Sequence, residues 1–272
     1  MSTTSTTDVL THNPVLLESY LKTLRLPTIV KEYAKAARQA GERGESHEAY
    51  LERLSELEVH ARDGKAAIRR LKQAGFPVDK DLSGFDFGSV PGLNRKKVLE
   101  LFTCRFAREK ASVVWMGAPG VGKSHLAIAL GREACRRGLS VKFFTASQLV
   151  NTYIEARDQR QVMRLEANIR KKDLIIVDEL GYLPLDLHAA EHLFGFFSQC
   201  YEQVSLVVTT NLPFAEWPSI FAGDARLAGA LIDRLTHRVH VMEIPGDSYR
   251  LKQSLKSKEG GEPTVKATPS EK

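Results

Sequence analysis

Cysteine is scarce in this chain and shows no pattern: Cys104, Cys135 and Cys200 stand far apart, with no CxxC pair. Three scattered thiols supply neither a disulfide framework nor a zinc site, so they read as small buried hydrophobes in a reducing compartment. No stretch approaches ~18 uninterrupted apolar residues, so no membrane-spanning helix and no membrane partner is expected. Residues 1–12 are polar and rich in Ser and Thr, with no charged lead followed by an apolar run. A secretory signal is therefore not expected, and the expected location is cytoplasmic.

What is present is ordinary for a globular protein: 272 residues, 43% hydrophobic and 26% charged. That length suffices for one large α/β domain plus a smaller element. The net charge of +6 and pI near 9.2 permit contact with nucleic acid without establishing it.

Residues 1–12 and the polar stretch 256–272 are expected to be disordered. From Pro14 the apolar spacing is helical, through Leu16, Leu17, Tyr20, Leu21 and Leu24. Pro27 opens a second helix, Thr28–Gln39, which Gly41 and Gly44 should end. A third is expected over Ser46–Ala74. Residues 1–75 thus read as a small all-helical domain, and its basic residues Arg62, Lys65, Arg69, Arg70 and Lys72 fit either a solvated face or a DNA surface. After a loop over 76–92 and a helix over Asn94–Glu109, strands and helices alternate. The expected strands are Val113–Met116, Val141–Phe144, Leu174–Val177, Leu206–Thr210 and Val239–Ile244. The expected helices are Lys123–Arg137, most of Ala146–Arg170, and His188–Tyr201. Such alternation predicts a parallel sheet between helical layers, a three-layer α/β domain over 76–255.

The central motif is Gly117-Ala118-Pro119-Gly120-Val121-Gly122-Lys123-Ser124, which matches GxxxxGK(S/T) between an expected strand and an expected helix. Glycines let backbone N–H groups converge on phosphate oxygens. Lys123 brings a positive charge to the β- and γ-phosphates, Ser124 offers a hydroxyl to Mg²⁺, and the helix N-terminus adds partial positive charge. The nucleotide-binding set is Gly117, Ala118, Pro119, Gly120, Val121, Gly122, Lys123, Ser124 and His125, and the ligand ATP with Mg²⁺. An apolar strand then runs Leu174-Ile175-Ile176-Val177 into Asp178-Glu179, 55 residues after Lys123. At the end of a parallel strand, Asp178 can hold Mg²⁺ beside Ser124, and Glu179 can polarise the attacking water. Asn211, after the strand 206–210, is a candidate to bridge the γ-phosphate and that water, or a plain turn residue. Arg234 and Arg238, four apart in Asp233-Arg234-Leu235-Thr236-His237-Arg238, are candidates for a cation supplied across a subunit boundary, or for a plain surface helix. Arg250 could reach the γ-phosphate within its own chain.

The order of these pieces resembles the AAA+ ATPases and, more narrowly, the IstB/DnaC group. The segments GAPGVGKSHLAIAL, LIIVDELGYLP, TTNLPF, IDRLTHR and GDSYR carry the resemblance, over about residues 10–255. It implies Walker A roles for Lys123 and Ser124, Walker B roles for Asp178 and Glu179, a first sensor at Asn211 and a second at Arg250. It implies an arginine finger at Arg234, with Arg238 second. It further implies a homo-oligomer with ATP between neighbouring copies, no separate C-terminal lid, and help to insertion-sequence transposition on double-stranded DNA together with a cognate transposase. A replicative-helicase loader is the alternative. Arg157, Arg160 and Arg164, read as one helical face, with Arg170, Lys171 and Lys172, give six basic residues against two acidic between 157 and 172. They are a candidate DNA track or a solvated helix. No isolated acidic triad, tyrosine nucleophile or metal cluster suited to strand transfer is visible.

Overall fold

The computed structural model describes residues 13–182, 185–246 and 248–249. The tails expected to be disordered, 1–12 and 256–272, lie outside the described residues. The chain divides into two compact units, Met1–Ala66 and Ala67–Lys272.

The first unit is helical. Helix α1 is Pro14–Thr23, opened by Asn13, whose side chain accepts the Leu16 N–H. Helix α2, Pro27–Arg43, outruns its expected end at Gln39: Gly41 is interior, and Gly44 ends the helix in a left-handed conformation (φ 62°). Helix α3 is His47–Ala74, and the division between units falls within it, ahead of residue 75. Leu26, at the cap of α2, offers no side-chain bond to the helix. Glu58 of α3 supplies it instead: one carboxylate oxygen accepts the N–H of Thr28 at 2.7 Å and of Ile29 at 3.1 Å. The other accepts from Arg62 Nε at 3.0 Å. Burial alone would raise the pKa of Glu58, which is 3% exposed, but these donors outweigh it and hold the pKa below the ordinary carboxylate value. Ile29, Ala36 and Leu54 form this unit's core.

The second unit is the α/β unit. Two short helices, α4 (Arg95–Leu101) and α5 (Arg105–Arg108), replace the single helix expected over 94–109. The break is Cys104, which takes φ 58° and donates its N–H to Leu101 while its side chain is buried in the core. Then follow β1 (Ser112–Met116), α6 (Lys123–Arg136), β2 (Val141–Thr145), α7 (Ala146–Asp158), α8 (Val162–Arg170), β3 (Leu174–Leu180), α9 (Leu187–Cys200), β4 (Ser205–Thr210), α10 (Trp217–Ile220), α11 (Ala225–Thr236) and β5 (Val239–Glu243). The sheet has five strands in the order β2-β3-β4-β1-β5, every pairing parallel.

The two-residue period of the strands makes the layers. Val113 and Trp115, Leu174 and Ile176, and Val207 face a core shared with Leu126, Ala127 and Leu130 of α6. Val114, Ile175, Val177, Leu206 and Val208 face the opposite core, closed by Leu149 of α7, Ile169 of α8, Leu193 and Phe196 of α9, Trp217 of α10 and Leu231 of α11. The expected three-layer α/β architecture is therefore the observed one. All three cysteines are free and buried, and burial pushes the Cys104 and Cys135 thiols up to about 11, and Cys200 up as well. Such thiols stay protonated and unreactive at neutral pH. Among the described residues no helix is long and apolar enough to cross a membrane, and no cluster of His, Cys, Asp or Glu could hold a metal by itself.

The expected helix over 146–170 is two. Helix α7 stops at Asp158; Arg160 takes φ 56°, and its N–H and that of Gln161 bond back to Arg157 and Ala156. This is the left-handed closure that usually carries glycine, which is why an arginine there gave no sign of a break. Arg157, Arg160 and Arg164 do not share one helical face; they flank the turn between α7 and α8, all exposed.

Candidate functional site

In a parallel sheet the carboxyl ends of all strands meet at one edge, and loops leaving that edge carry the chemistry. Here β1 ends at Met116, paired with Thr210 of β4 and Glu243 of β5, and β3 brings Asp178 to the same edge, opposite Thr145 of β2. The loop 117–122 leaves β1 and enters α6 directly. Gly117, Gly120 and Gly122 have φ of 147°, 82° and 105°, values that side-chain-bearing residues resist. Space forbids a side chain as well. A Cβ on Gly117 would stand 2.4 Å from the Ile244 carbonyl oxygen, one on Gly120 2.2 Å from Ser248 Oγ, and one on Gly122 2.7 Å from the Phe85 ring. The loop is a backbone cradle at the positive end of a 14-residue helix, the arrangement that binds phosphate. Lys123 Nζ donates to the carbonyl oxygens of Gly117 and Ala118, each at 2.8 Å, and is so held within the loop.

Beside the cradle lies a cleft of about 420 Å³, lined by Gly120–Ser124 on one side and by Val78, Phe85 and Val90 on the other, with Tyr249 at its rim. The segment forming the far wall is fastened to α6 through Asp81. Its carboxylate accepts from Arg136 at 2.7 Å and from Arg132 at 3.3 Å, and its carbonyl meets His125 Nε2 at 2.9 Å. The Arg136 bond, ahead of Arg132, holds the Asp81 carboxyl below its ordinary value. The His125 ring also packs edge-on against Phe85. Its imidazole is thus engaged with the wall. Asp81 and Phe85 gave no signal in the sequence: their partners on α6 are remote along the chain. Tyr249 donates its N–H to the Gly120 carbonyl at 3.1 Å, so the segment after β5 is tied to the loop apex.

The acid pair sits on a bulge. Val177 pairs with Val208 and Leu180 with Thr210, so Asp178 and Glu179 together oppose the single residue Thr209. Asp178 is 5% exposed, while Glu179, with φ 61°, is exposed. Thr209, two residues before Asn211, accepts the Glu179 N–H at 2.9 Å and donates to Asp178 Oδ1 at 2.5 Å. Asn211 follows directly at the end of β4, half-buried. The oxygen donors at this edge, the Ser124 hydroxyl and the Asp178 carboxylate, suit a hard cation such as Mg²⁺.

Arg234 and Arg238 are elsewhere. With Arg108, Lys110 and His237 they line a second cleft, of about 320 Å³, shared with Ser112 at the start of β1 and Leu206 at the start of β4. That is the amino edge of the sheet, the end of β1 away from the loop. The Arg234 guanidinium stacks 4.7 Å from the Phe194 ring centroid. Neither arginine is placed to serve the cradle of its own chain. Arg250 lies outside the described residues.

A parallel sheet in the order β2-β3-β4-β1-β5, a phosphate cradle after β1 and an acid pair after β3 define a P-loop α/β protein of the AAA+ class. Solved structures with this fold include DnaI (TM-score 0.52, 18% identity, covering 66% of this chain and 98% of that one) and AMPPCP-bound DnaA from Aquifex aeolicus (TM-score 0.51, 21% identity, covering 65% of this chain and 55% of that one). Residues 19–257 match the family described as IstB-like ATP binding protein, and the chain belongs to that family. Among its relatives, a protein of insertion sequence IS5376 from Geobacillus stearothermophilus, named for ATP binding, is 35% identical over 240 residues, 87% of this chain and 94% of its own length. One of insertion sequence IS21 from Pseudomonas aeruginosa, likewise named, is 35% identical over 241 residues, 89% of this chain and 91% of its own length.

Proposed function

We propose that this chain is an ATP-driven helper of insertion-sequence transposition: it binds and hydrolyses ATP, assembles as a homo-oligomer on duplex DNA, and recruits or stimulates the cognate transposase. The observation that carries the reading is the glycine cradle and Lys123 on the same sheet edge as Asp178 and Glu179. The relatives named for insertion sequences supply the biological setting. In this scheme the backbone of Gly117–Gly122 and the amino end of α6 hold the phosphates, and Lys123 moves its charge from the loop carbonyls to the β- and γ-phosphate oxygens. The His125 contribution to the phosphates is its backbone N–H, its ring being used on Asp81. Ser124 and Asp178 are the residues that would hold Mg²⁺, which would supply neutralisation of phosphate charge. Glu179 accepts a proton from, and orients, the attacking water, and Asn211 fixes that water relative to the γ-phosphate. Arg250 serves as the second sensor.

Arg234, with Arg238 second, acts on the nucleotide of a neighbouring copy, a role suited to the amino-edge cleft and its distance from the chain's own cradle. The nucleotide therefore joins two copies, and its hydrolysis releases them. Duplex DNA meets the exposed turn between α7 and α8, where Arg157, Arg160 and Arg164 present cations to phosphates without reading bases.

The test is fluorescence anisotropy of labelled duplex and single-stranded DNA of equal length at fixed salt, with and without Mg-ATP. The reading predicts tight binding that needs ATP and prefers duplex. ATP-dependent preference for the single strand would overturn it in favour of helicase loading.

A further inference from the structure

Thr209 carries a role beyond closing a strand. It is 1% exposed, and its hydroxyl has one proton and spare lone pairs. The lone pair side takes the Glu179 N–H at 2.9 Å and the proton goes to Asp178 Oδ1 at 2.5 Å, so the direction of both bonds is fixed. The same residue is the single β4 residue opposite the two-residue bulge in β3. Without a bulge, adjacent strand residues would point to opposite faces. With it, Glu179 adopts φ 61°, a conformation costly for a residue with a side chain, and its displaced N–H needs an acceptor. Thr209 is that acceptor.

We propose that Thr209 is a positioning residue for the ATPase reaction: through one hydroxyl it holds the bulge that presents Glu179 and commits Oδ1 of Asp178, leaving the other carboxylate oxygen to the cation. This rests on the ATPase reading above. It assigns the acid pair's geometry to β4, the strand that also ends in Asn211, so that movement at the sensor strand is felt by both acids.

Thr209→Val keeps the shape and loses the hydroxyl; Thr209→Ser keeps the hydroxyl. Two readouts separate this proposal from the reading it rests on. Affinity for a fluorescent ATP analogue, measured with Mg²⁺ and with EDTA, needs no turnover; steady-state hydrolysis gives kcat and KM. Thr209→Val should bind the analogue in EDTA like the parent, lose about tenfold or more of the affinity that Mg²⁺ adds, and lose kcat by at least about tenfold with KM little changed. Thr209→Ser should restore both to within about threefold of the parent. Parental Mg²⁺ response and kcat in Thr209→Val would overturn the proposal, as would a Thr209→Ser variant equally impaired, since packing rather than the hydroxyl would then be the cause. A parent that binds the analogue but never hydrolyses ATP would instead defeat the ATPase reading, and the Mg²⁺-dependent affinity would still decide the role of Thr209.

Discussion

Gly117→Ala is the most demanding test of the cradle, because two independent costs converge on one methyl group. The first is conformational. Gly117 has φ 147°, and holding alanine there costs about 1–3 kcal/mol. The second is steric. The new Cβ would lie 2.4 Å from the Ile244 carbonyl oxygen, where ordinary contact begins at 3.4 Å. The oxygen cannot retreat freely: Ile244 is 1% exposed, and its own N–H bonds to the Met116 carbonyl at 2.8 Å, stitching β5 to β1. Disturbing that bond adds about 1 kcal/mol, for a total of roughly 2–4 kcal/mol. In a unit of this size that lowers Tm by roughly 5–15 °C. Because the strain is relieved by moving the loop itself, ATP affinity should also fall by at least about tenfold, or ~1.4 kcal/mol. Thermal melting followed by circular dichroism gives the first number, and titration with a fluorescent ATP analogue gives the second. A Gly117→Ala protein that melts within about 2 °C of the parent and binds the analogue equally well would refute the reasoning, since neither the backbone angle nor the contact with Ile244 could then be as described.

Three further outcomes are expected. Glu58→Gln removes the charge that caps α2 and should cost about 1–3 kcal/mol near neutral pH. The folded-state pKa of Glu58 is lowered from 4.5, so the stability it contributes is full above that value and lost as pH falls through the folded pKa; the gap between parent and variant in urea melts should close on acidification, and a gap independent of pH would contradict the assignment. Asp81→Ala removes the carboxylate shared by Arg132 and Arg136, leaving only Asp79 on Arg132, and should weaken ATP binding several-fold while hydrolysis at saturating ATP changes little; a fall confined to kcat would contradict it. Replacing Arg157, Arg160 and Arg164 together by alanine should reduce the slope of log affinity for duplex DNA against log salt by about 2–3 while ATP hydrolysis off DNA is kept, and an unchanged slope would move the DNA surface elsewhere.

Most of the fold was legible in the sequence because its signals are local. The strand–glycine–helix run at 113–136 and the apolar strand ending in Asp178-Glu179 need no partner to be read. The breaks were not legible. Cys104 and Arg160 adopt left-handed angles normally signalled by glycine, held by packing and by backbone bonds that form only once the helices are closed. The same holds for the left-handed angle of Glu179: the bulge depends on register with β4, 30 residues away. The fastening of the cleft wall by Asp81 escaped for a related reason. Arg132 and Arg136 stand one helical turn apart on α6, and the carboxylate they hold is 51 and 55 residues distant.

The central claim, that ATP held in this cradle joins copies of the chain on DNA, is tested most directly by sedimentation velocity of the protein on a short duplex with ATP and Mg²⁺, comparing the parent with Lys123→Ala and Glu179→Gln. The parent should form a large complex that decays as ATP is consumed, Glu179→Gln should form the same complex and keep it, and Lys123→Ala should form none. A Lys123→Ala protein that assembles with nucleotide as the parent does, or a Glu179→Gln complex that falls apart at the parental rate, would contradict it.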